Sequence, residues 1–208
     1  MATSDLARPT ADKEVAPAPV TIADPGALGL GAFALTTFVL STVNAGLIPL
    51  GVESIVLSVA FFYGGAAQLL AGMWEFRKGN TFAATAFSSY AAFWLAFWGL
   101  GRFFVPARGT TLSDVNHAVG VFLLAWTIFT VYMCIASMRT SVAVFSVFVV
   151  LTLTFLFLTV GKFADSSGIT KLGGWLGLLT AVLAWYASFA VVTNETWKRV
   201  VLPVGHRS

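Results

Sequence analysis

The sequence is short of charged residues. Asp, Glu, Lys and Arg make up only 10 % of its 208 residues, whereas a soluble domain carries about 25 %. Hydrophobic types make up 58 %, and the mean hydropathy is +0.86. This imbalance excludes an ordinary soluble domain. It indicates an all-α integral membrane protein, because helices satisfy their own backbone hydrogen bonds in lipid.

Chemically reactive residues are equally scarce. The one cysteine, Cys134, lies inside an apolar run, and the two histidines, His117 and His206, are far apart in sequence. One thiol cannot form an internal disulfide, and no cluster has the spacing of a metal site. We therefore expect no metal, no cofactor and no enzymatic activity. The net charge of +3 is attributed to orientation signals at helix ends, so we expect no nucleic-acid partner.

Six apolar stretches are each long enough to span a bilayer, which needs about 20 residues. They run over residues 27–48, 53–75, 82–105, 117–138, 141–161 and 173–193. Eight Lys and Arg residues on the side of the termini, against four on the other side, favour cytoplasmic termini in a multi-pass protein of the cell membrane.

The spans and tails divide the chain into three regions. Residues 24–197 are predicted to form a six-helix transmembrane domain. Residues 1–23, rich in Ala, Pro and Thr, are predicted to be a disordered cytoplasmic tail, and residues 198–208 a cytoplasmic C-terminal tail.

The interior of the spans carries neutral polar residues and no charge at mid-depth. The four residues Glu53, Glu75, Arg102 and His117 all lie near span ends. The absence of a central carboxylate argues against an intramembrane proton relay. Glu53 and His117 are the weak candidates for a proton carrier.

Two amides stand out among these polar residues. Asn44 follows Thr37 and Phe33 on one face of the first span, and Gln68 follows Gly64 on a stripe of small residues. A buried amide needs partners whether it joins helices or lines a pathway, so both roles stay open. The glycines and most hydroxyls are more typical of helix packing.

Five motifs occur in order between residues 24 and 205. They are "DPGALGL" (24–30) with Phe33 and Thr36-Thr37, "YGGAAQ" (63–68), "KGNTF" (78–82) with "AFSSY" (86–90), "GWLG" (174–177), and "VLPVG" (201–205). In this order and spacing the sequence resembles the acetate uptake transporter family, the bacterial and fungal acetate–succinate permeases. Asp24 departs from the family pattern, which has Asn there.

The resemblance implies a six-helix bundle with a central pore in each protomer, and a homo-hexamer. It also implies transport of acetate, and of other small monocarboxylates or succinate, by proton-coupled symport or as an anion channel. A membrane scaffold or sensor that keeps the fold without transport is the alternative.

The resemblance and the polar stripes together assign residues. The substrate-binding and pore residues are Thr36, Thr37, Asn44, Tyr63, Gln68 and Tyr90. The constriction that excludes hydrated ions is Phe33, Tyr90 and Leu151. The motif at the pore mouth comprises Asp24, Pro25, Leu28 and Gly29, and the packing glycines are Gly64, Gly65, Gly173 and Gly177. Asp24 is predicted to cap the first helix and, if ionised, to weaken the access of anions.

Overall fold

The structure is a computed structural model that describes residues 22–52 and 54–205, without the side chain of Leu50. These residues form six long helices. They are α1 (Gly26–Asn44), α2 (Ser54–Lys78), α3 (Thr81–Phe103), α4 (Leu112–Ser137), α5 (Val142–Phe163) and α6 (Ser167–Trp197). Most of the predicted N-terminal tail, Glu53 and His206 lie outside the described residues.

Five of the six helices are long and apolar enough to cross a bilayer. The exception is α3, whose serines, tyrosine and tryptophans lower its mean hydropathy. The lower hydropathy has a physical reason, because Tyr90 and Trp94 of α3 are buried inside the bundle rather than facing lipid. The predicted all-α membrane bundle is thus confirmed.

Four predicted helix ends, in three helices, are wrong by four to six residues. Helix α1 ends at Asn44 rather than at residue 48, because Gly46 takes a φ of 75° and closes the helix. Helix α4 begins at Leu112 rather than at residue 117, because Thr111 and Asp114 form a capping box. Helix α6 runs over Ser167–Trp197, beyond the predicted 173–193 at both ends.

Helix α2 contains a π-helical segment over Ala60–Ala67. The segment begins where the Thr36 hydroxyl donates to the carbonyl of Val59, at 3.4 Å. It ends directly before Gln68. A Cβ on Gly64 would lie 2.7 Å from the Trp94 ring and 2.8 Å from Thr36 Oγ1. Glycine is therefore needed for α2 to approach both α1 and α3.

The other glycines predicted to pack helices also lie at close approaches. A Cβ on Gly65 would meet Leu95 at 2.6 Å, and one on Gly173 would meet Leu158 at 2.8 Å. A Cβ on Gly177 would collide with the Ser41 hydroxyl. The close approaches at Gly173 and Gly177 let α6 pack along both α1 and α5.

Candidate functional site

A cavity of about 410 Å³ opens at the end of the bundle where α1 begins and α2 ends. Its mouth is lined by polar and charged residues, namely Asp24, Glu75, Asn80, Arg139, Thr140 and Ser141. Its inner end is lined by Gln68, Phe33, Tyr90 and Phe148. The cavity is therefore polar outside and mostly aromatic inside, with one amide at its inner end.

Gln68 is the polar group at the inner end. Its side chain has no exposed surface, and neither Nε2 nor Oε1 has a hydrogen-bond partner among the described residues. Burying an unpaired amide costs roughly 2–7 kcal/mol. The amide lines the cavity, so a guest bound there can donate and accept the missing hydrogen bonds and offset this cost.

Two of the three predicted constriction residues meet at the inner end. The rings of Phe33 and Tyr90 lie 5.6 Å apart, centroid to centroid. Leu151 is buried in the same apolar cluster, but it does not line the cavity. The residue that α5 places on the cavity wall is Phe148, one turn before Leu151.

The Tyr90 hydroxyl is hydrogen-bonded within the bundle, whereas the sequence predicted that it binds substrate. It lies 3.0 Å from Thr130 Oγ1, and that hydroxyl donates to the carbonyl of Trp126 at 2.7 Å. Tyr90 therefore donates to Thr130 and fixes its own ring between α1 and α4.

The remaining predicted pore residues are spread along the bundle. The Thr36 hydroxyl donates to two backbone carbonyls, that of Ala32 at 2.9 Å and that of Val59 at 3.4 Å. Thr37 is buried one turn beyond Phe33, and its Oγ1 has no partner among the described residues.

Asn44 is half-buried at the far end of α1, and Tyr63 is half-buried with its hydroxyl near Gly31. Neither of these last two lines the cavity.

The motif at the mouth forms the start of α1. Pro25 is the N-cap and Gly26 the first helical residue, so the predicted cap at Asp24 is wrong by one residue. The Asp24 carboxylate still accepts from the Gly26 N–H at 2.8 Å. A Cβ on Gly29 would overlap the Phe87 ring, while Leu28 is exposed.

Asp24 forms an ion pair that the sequence did not predict. Its Oδ2 lies 2.9 Å from the Lys78 Nζ, and both side chains are about one third exposed, at 34 % and 36 %. Lys78 therefore compensates the negative charge that was expected to repel anions at the mouth.

Sequence reasoning missed Glu75 as a cavity residue. Its side chain is only 1 % exposed, although it is one turn from the end of α2. The predicted absence of charge at mid-depth is not contradicted, because Glu75 lies near the end of α2, but the burial of its side chain was not predicted. The signal was its spacing, because Glu75 follows Gln68 by seven residues and so shares its helix face.

The chain is similar to known proteins over most of its length. The profile of the GPR1/FUN34/yaaH family matches residues 9–206. Acetate permease A of Emericella nidulans is 44 % identical over 197 residues, covering 88 % of this chain and 66 % of that protein. The succinate-acetate/proton symporter SatP of Escherichia coli K12 is 38 % identical over 184 residues, covering 88 % of this chain and 96 % of that protein.

A solved structure has the same fold. The structure of the bacterial acetate channel SatP matches with a TM-score of 0.81 and 37 % identity, covering 89 % of this chain and all of that chain. The chain spans about two thirds of the length of its fungal relatives, such as the accumulation of dyads protein 2 of Saccharomyces cerevisiae, which is 44 % identical over 193 residues. The helical bundle, the ordered motifs and these matches together show that the chain belongs to the GPR1/FUN34/yaaH family.

Proposed function

We propose that this protein moves acetate, and other small monocarboxylates or succinate, across the cell membrane through the cavity, by proton-coupled symport or as an anion channel. The observation that carries the proposal is the Gln68 amide, which is fully buried, unpartnered and placed at the inner end of the cavity. Its N–H₂ group can donate to a carboxylate oxygen and replace the water that the anion loses.

The surroundings of Gln68 suit passage rather than tight binding. Phe33 and Tyr90 narrow the cavity without adding a fixed charge, and the cavity's cationic residue Arg139 lies at the mouth. Conduction requires that a guest bind well enough to enter and weakly enough to leave. An amide beside two aromatic rings meets this condition better than a buried Lys or Arg.

The relatives support transport over the alternative of a non-transporting scaffold. Two of them are named as an acetate permease and a succinate-acetate/proton symporter, and the similar solved structure is described as an acetate channel. In a non-transporting scaffold no guest would offset the cost of the unpaired Gln68 amide inside the cavity.

The proposal includes an orientation and an assembly. The described basic residues on the side of the cavity mouth are Arg77, Lys78, Arg139, Lys198 and Arg199, against Arg102, Arg108, Lys162 and Lys171 on the other side. This bias supports a cytoplasmic location of the mouth and of both termini. Large exposed apolar side chains such as Phe62, Ile128 and Phe189 leave wide faces for lipid and for the neighbours of a homo-hexamer.

Radiolabelled acetate uptake into proteoliposomes tests the transport function. The expected result is saturable uptake well above that of protein-free liposomes, competed by unlabelled acetate and succinate. Uptake equal to the lipid background, by protein that is folded and inserted, would overturn the proposal. Native mass spectrometry of the purified protein tests the hexamer separately.

A further inference from the structure

Glu75 is a buried acid that the proposed transport role leaves unexplained. Charges near helix ends ordinarily reach water, yet this side chain is 1 % exposed and lies on the cavity wall. Its Oε2 has no hydrogen-bond partner among the described residues. A carboxyl group in this position holds its proton or releases it according to what else occupies the cavity.

The charged groups around Glu75 come from three sides. From its own helix comes Lys78, which is already paired with Asp24 at the start of α1. From the α4–α5 connection comes Arg139, also on the cavity wall. The side chain of Asn80, just before α3, hydrogen-bonds the Glu75 carboxyl and also caps the N–H of Ala83 at 3.2 Å, and α6 presents apolar Ala187 and Val191. Within the described part of the chain, neither of the two ion pairs includes Glu75.

Apart from Glu75 itself, these surroundings carry one net positive charge, on Arg139, which favours the carboxylate form. The Asp24–Lys78 pair cancels itself, and the Oε1 of Glu75 lies 3.4 Å from where a side chain on Gly26 would begin, close to the N-terminus of α1. A helix N-terminus favours a carboxylate, whereas burial favours the neutral acid. A second carboxylate arriving in the same cavity adds repulsion and tips this balance toward protonation.

Glu75 lies at the mouth of the cavity, on the outer side of the Gln68 amide. It follows Gln68 by seven residues on one face of α2, which is a rise of about 10 Å along the helix. A carboxylate that travels from the mouth to Gln68 therefore passes Glu75 before it reaches the aromatic pair. That pair is apolar, so an anion crosses it at a higher cost than a neutral acid does.

We propose that Glu75 exchanges a proton with the substrate carboxyl, so that the substrate passes Phe33 and Tyr90 as the neutral acid. Outward, the O–H bond of protonated Glu75 breaks, an O–H bond forms on acetate, and the Glu75 carboxylate takes a proton from water at the mouth. Inward, acetic acid gives its proton to the Glu75 carboxylate, which releases it to water at the mouth. One proton moves with each acetate in either direction. This inference rests on the proposed function.

The test compares Glu75→Gln, Glu75→Asp and the control Glu195→Gln in proteoliposomes. Glu195 is a matched control because it is exposed, away from the cavity, and ion-paired only with Lys198. Acetate flux, internal pH and the response to an imposed potassium diffusion potential are recorded together, with protein-free liposomes as the background for acetic acid leak.

The wild type and Glu195→Gln are expected to move one proton per acetate, independently of the potential. Glu75→Gln is expected to lose proton-coupled uptake at least tenfold, with any remaining acetate flux driven by the potential. Glu75→Asp is expected to restore coupling, since it keeps a titratable carboxyl.

Three results would overturn the inference. The first is coupled uptake by Glu75→Gln within twofold of wild type. The second is the loss of transport by Glu75→Gln and Glu75→Asp alike in folded protein. The third is wild-type flux that follows the potential and carries no protons, which leaves the transport function standing. Wild-type flux equal to the lipid background instead defeats the transport function itself.

Discussion

Single side chains decide what the cavity can bind. Gln68 was predicted from the sequence because an amide is rare in so apolar a segment, and the structure places it at the inner end of the cavity. Glu75 was not predicted, because its position one turn from the end of α2 suggests exposure. Its burial depends on the start of α1 lying over it, which no local pattern reveals.

Replacing Gln68 by Leu separates a binding role from a packing role. The hydrogen bond to a carboxylate is worth about 1.5–3 kcal/mol, so the KM for acetate is expected to rise roughly 10- to 150-fold. The thermal unfolding midpoint is expected to rise as well, because an unpaired buried amide is removed. Acetate uptake kinetics and a thermal scan of the same preparation give both numbers. A more stable variant with wild-type uptake would show that Gln68 has no contact with substrate.

Replacing Asp24 by Asn tests the charge at the mouth. The amide oxygen still accepts from the Gly26 N–H, but the ion pair with Lys78 is lost and the lysine is left free. Both side chains are about one third exposed, so stability changes by at most about 1 kcal/mol. Acetate uptake at low salt is expected to rise because a negative charge is removed from the mouth. An energy of about 1 kcal/mol corresponds to a rise of up to about fivefold.

Salt supplies the control for this charge effect. At 1 M salt the Debye length is about 3 Å, so the difference between Asp24→Asn and wild type is expected to vanish. Glu195→Gln is expected to match wild type at both salt concentrations. An increase that persists at high salt would point to a change in the shape of the mouth instead of its charge.

At the scale of helices, the sequence predicts the number of elements and misses their irregularities. Long apolar stretches predict all six helices, although the mean hydropathy of α3 is lower than that of the other five. The π-helical segment over Ala60–Ala67 has no such signature. It arises where Gly64 lets Trp94 and Thr36 press against α2, so it depends on contacts between helices that are far apart in sequence.

Gly174→Ala is expected to destabilise the contact between α6 and α1. An added Cβ would collide with the backbone at Asn44 and Ala45, which cannot turn aside as a side chain can. Overpacking of this kind costs about 1–3 kcal/mol, and the thermal unfolding midpoint in detergent should fall. Gly168→Ala is the matched control on the same helix, because its nearest atom, Ser166 Oγ, is 3.9 Å away. Equal midpoints for the two variants would contradict the close approach.

Asp165 follows the end of α5 and forms hydrogen bonds to the start of α4, at the end of the bundle opposite the cavity mouth. Its carboxylate accepts from Ser113 Oγ at 2.6 Å and from Asn116 Nδ2 at 2.7 Å. These hydrogen bonds hold the pKa of the Asp165 carboxyl below its usual range. A carboxyl whose pKa is lower in the folded state stabilises the fold above the ordinary pKa, about 3.9, and this stability is lost as the pH falls through the folded value.

Asp165→Asn should therefore lack this acid-dependent loss. Asn tolerates the left-handed backbone, where Asp165 has a φ of 48°, so the loop itself is expected to persist. Thermal midpoints of wild type and variant, measured from pH 6 to pH 3, are expected to converge below about pH 4. Curves that stay parallel over the whole range would contradict a role for the ionised carboxylate.

At the scale of the whole molecule, function depends on where four chain segments meet. The start of α1, the end of α2, the α4–α5 connection and the segment around Val204 meet at the mouth of the cavity, whose walls also include α3, α5 and α6. Backbone bonds from Val142 and Ala143 to Gly205 and Val204 hold the last of these segments in place. The sequence identifies each motif but cannot show that they share one cavity, because their assembly depends on tertiary packing.

Blocking the cavity with a thiol reagent tests most directly whether this cavity is the route of transport. Ala86 lines it one turn from Tyr90, so Ala86→Cys is made in a Cys134→Ser background and treated with a charged methanethiosulfonate reagent. Glu195→Cys in the same background is the exposed control. Labelling Cys at position 86 is expected to stop acetate uptake, and acetate is expected to slow the labelling. Full labelling at position 86, verified by mass spectrometry, with uptake unchanged would contradict the account.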